Sequence, residues 1–156
     1  MDPITEIKLN QLEAATWPTL YKKIAKVALL HYPEETNDCS VIALASACNV
    51  SYGKAQAELA RQGRKVGEGA TMHMIMAAAH NLGWNVESIS TEVMRSMSAP
   101  TLARIRNDVA KAATVMAIVY SKGSGHVLTI KDGAIIDYSG SRKCAKYVYA
   151  VTPREA

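Results

Sequence analysis

Asn37-Asp38-Cys39-Ser40-Val41-Ile42-Ala43-Leu44-Ala45-Ser46-Ala47-Cys48 is the stretch whose reading decides the fold. From Cys39 onward it is apolar on every side, and its alanines suit a helix better than a strand. A helix without a polar face belongs in the middle of a domain. The polar loop Pro33-Glu34-Glu35-Thr36-Asn37-Asp38 runs straight into it, so Cys39 falls at or just before the first helical turn. The positive end of the helix dipole and its unpaired N–H groups favour a thiolate there. Cys48 is the internal contrast. At about 100° per residue it points to the opposite side of the same helix, and it reads, like Cys144, as inert packing.

Working outward, residues 1–30 read as a helical extension with a break at Trp17-Pro18, and residues 31–156 as the principal domain. Ser51 is placed to cap a helix over 52–62 that Gly63 ends. The glycine-rich, basic loop 63–69 follows a helix and lacks Gly-Lys-Ser/Thr, so it reads as a mobile loop beside a cleft and not as a phosphate cradle. A helix over 71–82 closes at Gly83. A strand over 84–89 and a helix over 101–112, entered through Ser98 and Pro100, come next. Short β-branched and aromatic runs at 115–120, 125–131, 134–138 and 146–151 complete the chain. Helices first and antiparallel strands afterwards indicate an α+β domain with two lobes.

A nucleophilic cysteine needs a base, and the base needs a group to orient it. The segment Ser124-Gly125-His126-Val127-Leu128-Thr129-Ile130-Lys131-Asp132-Gly133-Ala134-Ile135-Ile136-Asp137 offers both. Asp132-Gly133 between two alternating runs is a two-residue hairpin signal. If Lys131 pairs with Ala134, His126 lies opposite Ser139. Asp137 is then diagonal to His126 on the same face, about 7–8 Å away between α-carbons and within side-chain reach.

Composition narrows the classes. The chain has 156 residues, 49% hydrophobic and 21% charged, which suits one folded domain and excludes a disordered one. Phe is absent, so Met and Tyr, seven of each, must share the core with the aliphatic residues. Met72, Met74, Met76, Met94 and Met97 read as core filling for that reason. The net charge of +4 is spread along the chain, too thinly for a nucleic-acid-tracking stripe. No apolar run reaches the ~18 residues of a membrane helix, and Met1-Asp2-Pro3 does not open a signal peptide. Three widely spaced cysteines then suggest reduced thiols in the cytoplasm. His73 and His80 share a helix face but lack the partners of a metal site. No metal or cofactor is expected.

The helix-start cysteine, the Gly-His strand start and the hairpin to Asp, in that order, resemble the papain-like cysteine peptidase fold. They resemble in particular its short bacterial versions, such as bacteriocin-processing peptidase domains. Asn37 to Ala45, with Tyr52, Gly63-Arg64 and Gly69 downstream, is also similar to small papain-like proteins of phages and bacteria. The resemblance spans roughly Pro33 to Val151. It implies a helical N-terminal lobe whose buried central helix packs on a C-terminal antiparallel sheet. It also implies a hydrolase of peptide, isopeptide or related acyl bonds in a protein or peptide substrate, with Cys39, His126 and Asp137 as its triad. The pattern's glutamine before the cysteine is missing here. Asn37 can stand in as oxyanion donor beside the Cys39 N–H, or Asn37 or Asp38 can simply cap the helix. A catalytically silent papain-like binding protein, for instance a phage factor that captures a host protein, is the competing expectation.

Overall fold

The computed structural model describes residues 2–14, 18–89, 101–108, 113–121, 124–137 and 144–155. Trp17, Met94, Met97, Ser98, Pro100, residues 109–112, Tyr138 and Ser139, on which parts of the sequence reading fall, lie outside the described residues. Five helices come first: α1 (Pro3–Ala14), α2 (Thr19–His31), α3 (Cys39–Cys48), α4 (Tyr52–Arg61) and α5 (Met72–Asn81). They are followed by β1 (Trp84–Ser88), α6 (Leu102–Asp108), β2 (Thr114–Ser121), β3 (Ser124–Lys131), β4 (Ala134–Ile136) and β5 (Ala145–Pro153). The strands form one antiparallel sheet in the order β1-β5-β2-β3-β4. The fold is therefore α+β.

Local chemistry sets the boundaries. Ser51 and Thr71 cap α4 and α5 through their hydroxyls, which accept from the N–H groups of Lys54 (3.1 Å) and Met74 (3.2 Å). Gly63 and Gly83 follow these helices at φ 105° and 94°, a region that costs glycine little. At the hairpin, Asp132 and Gly133 both take positive φ, 50° and 77°, as a type I′ turn requires. Lys131 pairs with Ala134, the register the turn predicts.

The sheet separates two apolar layers because side chains alternate along a strand. Met116, Val127, Ile136 and Val151 face α2–α5, while Val115, Ala117, Leu128 and Ile130 pack with Leu102 and Ile105 of α6. Val41, Ala43, Leu44, Ala45 and Ala47 are essentially without solvent contact, so α3 is the buried middle of the helical layer. Helix α2, within the segment that reads as an N-terminal extension, joins that layer: Tyr21, Ile24, Ala25 and Ala28 are buried in the same core as α3.

What positions the site is the docking of α3 along β3. The Thr129 hydroxyl donates to the Ala43 carbonyl (2.8 Å), and Lys131 Nζ donates to the Ser46 carbonyl (3.2 Å) in the last helical turn. One helical turn advances about 5.4 Å, and two strand residues advance about 6.6 Å. Successive turns of α3 therefore meet alternate residues of β3. Continued back one turn, the same match sets Cys39 beside Val127 and His126.

Candidate active site

Cys39 is the first residue of α3 and is partly buried. Asp38 occupies the N-cap position, and its carbonyl accepts from the N–H groups of Val41 (3.0 Å) and Ile42 (3.1 Å). Its carboxylate makes no cap bond and instead accepts from the Tyr52 hydroxyl at 2.8 Å. Neither Asn37 nor Asp38 caps the helix through its side chain.

His126 lies near the start of β3, and Asp137 follows β4. The two meet at 2.8 Å between His126 Nε2 and Asp137 Oδ2, with the Asp137 side chain only 5% exposed. The same imidazole hydrogen-bonds with the Cys39 thiol. With Nε2 engaged by the carboxylate, Nδ1 is the ring nitrogen left to serve the sulfur.

The electrostatics follow from these contacts. Burial pushes the Cys39 thiol up, but the His126 hydrogen bond, the Val127 N–H and the imidazolium charge outweigh it, and the thiol is held below its ordinary value. Burial likewise disfavours the charged form of His126. The hydrogen bonds to Asp137 and Cys39 and the charges of both reverse that, raising His126 to about 9. Cys48, buried with only distant help from Lys131, is pushed up to about 12. Two cysteines on one helix thus take opposite shifts because only one faces an imidazole.

A cavity of about 320 Å³ opens at Cys39 and His126, lined also by Ser40, Gly69, Ala70, Thr71, Met72, Ile75, Ile118, Tyr120, Gly125, Val127, Tyr147 and Tyr149. Asn37 is not among them. Its backbone takes φ 52° and its amide donates to the Gly67 carbonyl at 3.1 Å, so the expected oxyanion donor is committed to the 63–69 loop. That loop, which the sequence places beside a cleft, reaches the cavity at Gly69 and is tethered. Glu35 accepts from Arg64 Nη1 (2.8 Å) and Nη2 (3.0 Å) and from the Gly67 N–H (2.9 Å), which ties the loop to the segment before α3.

A larger cavity, about 410 Å³, lies between α1, α2 and residues 32–38 and contains none of Cys39, His126 and Asp137. His73 and His80 are exposed on α5, with His80 against Arg154 at 3.0 Å. Among the described residues no group of three His, Cys, Asp or Glu is gathered as a metal site, and no helix is long and apolar enough to cross a membrane.

Sequence reasoning missed Ser40 and the three tyrosines of the cavity. A signal existed for the tyrosines: Tyr147 and Tyr149 are two apart on one strand, hence on one face, and Tyr120 pairs with the glycine before His126. Compared with known proteins, the chain matches no family model, no curated protein and no solved structure.

Proposed function

We propose that the protein is a papain-like cysteine hydrolase acting on a peptide, isopeptide or related acyl bond. One observation carries this reading: a single imidazole bridges a helix-start cysteine and a buried carboxylate, with 2.8 Å between Nε2 and Oδ2. A structural histidine needs neither the thiol nor the buried acid.

The proposed reaction uses these groups in turn. The Cys39 thiolate adds to the carbonyl carbon, and the electron pair moves to oxygen. The main-chain N–H at the start of α3 and the helix dipole stabilise that oxyanion. The leaving group takes a proton from the His126 imidazolium as its bond to carbon breaks, giving a thioester on Cys39. Water then gives a proton to His126, adds to the thioester and releases the acid, restoring the thiolate. Asp137 holds the ring orientation throughout. A different acceptor in place of water makes the same steps an acyl transfer.

With Asn37 bonded to Gly67, the oxyanion lacks the side-chain donor of the papain pattern, a difference typically worth about 10²–10³ in rate. A slow or selective enzyme is the consequence. The binding-protein reading draws on a different observation, the exposed pair Tyr120 and Tyr147 with Lys146 Nζ 5.3 and 5.8 Å from their ring centres. Cys39→Ala separates the two, because a binder keeps its partner without the thiol.

The test of the hydrolase reading is the pH dependence of Cys39 alkylation by iodoacetamide in wild type and His126→Ala. The expected apparent pKa lies below the ~8.5 of a free cysteine and rises when His126 is removed. An ordinary value, indifferent to His126, would sink the assignment.

A further inference from the structure

Ser40 is the second residue of α3 and is 1% exposed, yet its hydroxyl has no hydrogen-bond partner among the described residues. Ser46, further along the same helix, shows the usual solution: its hydroxyl reaches the carbonyls of Ile42 (2.9 Å) and Ala43 (3.0 Å) one turn back. At the second helical position no preceding turn exists to bond to. An unpaired buried hydroxyl loses its hydration with no bond to offset the loss. Alanine would avoid that cost and fits the helix at least as well, so the hydroxyl calls for another partner.

The cavity that Ser40 lines supplies the setting. Away from Cys39 and His126 its walls are mainly apolar or aromatic, chiefly Met72, Ile75, Ile118 and Tyr149, and among the described residues no Asp, Glu, Lys or Arg lines it. At about 320 Å³ it lies at the small end of ligand sites, which run from about 300 to 1,000 Å³. That suits one large side chain. The charges of Cys39 and His126 are already paired with each other and with Asp137, so a charged side chain would be desolvated there without a counter-ion of its own.

We propose that this cavity is a side-chain pocket of the candidate hydrolase and that Ser40 is its specificity-determining residue. The pocket takes a large, uncharged side chain with a hydrogen-bonding tip, and among the standard amino acids tyrosine combines the two best. The name of the reaction rests on the Cys39 reading; the binding does not need a reactive thiol.

The experiment titrates the full chain with N-acetyl-tyrosinamide and N-acetyl-phenylalaninamide, followed by NMR shifts of the Ser40 and Met72 amides. The tyrosine amide is expected to bind roughly tenfold more tightly, the value of one buried hydrogen bond. Ser40→Ala brings the ratio to about one and leaves the thermal midpoint unchanged or higher, because it removes an unpaired group. Equal affinities in wild type, a ratio that survives Ser40→Ala, or no shift with either amide overturns the proposal. Iodoacetamide profiling of the same wild-type sample keeps the two readings apart. An ordinary thiol with the tyrosine preference intact sinks the hydrolase and leaves the pocket, and an activated thiol without the preference does the reverse.

Discussion

Asp137 acts on His126 in two ways that a substitution can separate. It accepts from Nε2, which fixes the ring, and it supplies a negative charge that favours the imidazolium. Asp137→Asn keeps an acceptor and removes the charge. An opposite charge at this range is worth about 1–3 pKa units, so His126 should titrate well below its value of about 9. On the Cys39 thiol the substitution has two opposing effects, since the Asp137 charge raises it directly while the imidazolium that this charge supports holds it down. NMR titration of the His126 ring reads the imidazole shift, and the pH profile of alkylation reads the balance at the thiol. A His126 midpoint still near 9 would show that the carboxylate charge is unimportant. The sign for stability follows as well. A histidine raised from 6.5 to about 9 contributes stability that is full below 6.5 and lost as pH rises through 9. At this scale the proximity of Cys39, His126 and Asp137 was legible because each carries its own local signal: a helix start, a glycine before a strand, a hairpin register. Asn37 was not legible. Its amide goes to the carbonyl of Gly67, far away in sequence, and no spacing rule predicts that bond.

Elements place these residues, and the hairpin does the finest positioning. Asp137 reaches His126 only if β4 keeps the Lys131–Ala134 register, and the turn at Asp132-Gly133 sets that register. Gly133 stands at φ 77°, where a side chain costs roughly 1–2 kcal/mol. Gly133→Ala is therefore expected to lower stability by about that amount in urea unfolding. It should also weaken the His126 dependence of Cys39 alkylation, since a longer or slipped turn moves Asp137 off its partner. A stability loss with an unchanged alkylation profile would show that the register is held by packing alone. The helices and strands before and after this turn follow period and punctuation closely, which is why their order was readable. The position of β5 was not. The last strand lies between β1 and β2, a choice made by the two apolar faces of the sheet. Likewise α2 reads locally as one more amphipathic helix, and only the burial of Tyr21, Ile24, Ala25 and Ala28 makes it part of the core.

At the scale of the molecule an ion pair joins distant segments that no local pattern connects, since Glu35 and Arg64 look like ordinary loop charges. Their side chains are 1% and 2% exposed, and Glu35 also accepts from Gln56 Nε2 (2.9 Å) and the Gly67 N–H. Through them the segment entering α3, helix α4 and the loop that reaches Gly69 at the cavity become one unit. Burial opposes the charge on Glu35, but the Arg64, Gln56 and Gly67 hydrogen bonds and the guanidinium charge hold its carboxyl at about 2 instead of 4.5. A buried pair adds little over an apolar replacement, whereas breaking it strands a charge and costs about 3–5 kcal/mol. Glu35→Gln is thus expected to destabilise by that much in urea unfolding, while Glu35→Met with Arg64→Met together should cost far less. The pH dependence has a definite sign. A depressed carboxyl stabilises fully above its unfolded value, and that stability is lost as pH falls from about 4.5 through 2. Thermal midpoints of wild type should fall across this window, and those of Glu35→Gln should fall less. Parallel curves for the two proteins would show that the loop is held by something other than this charge, and the cavity wall at Gly69 would then need a different support.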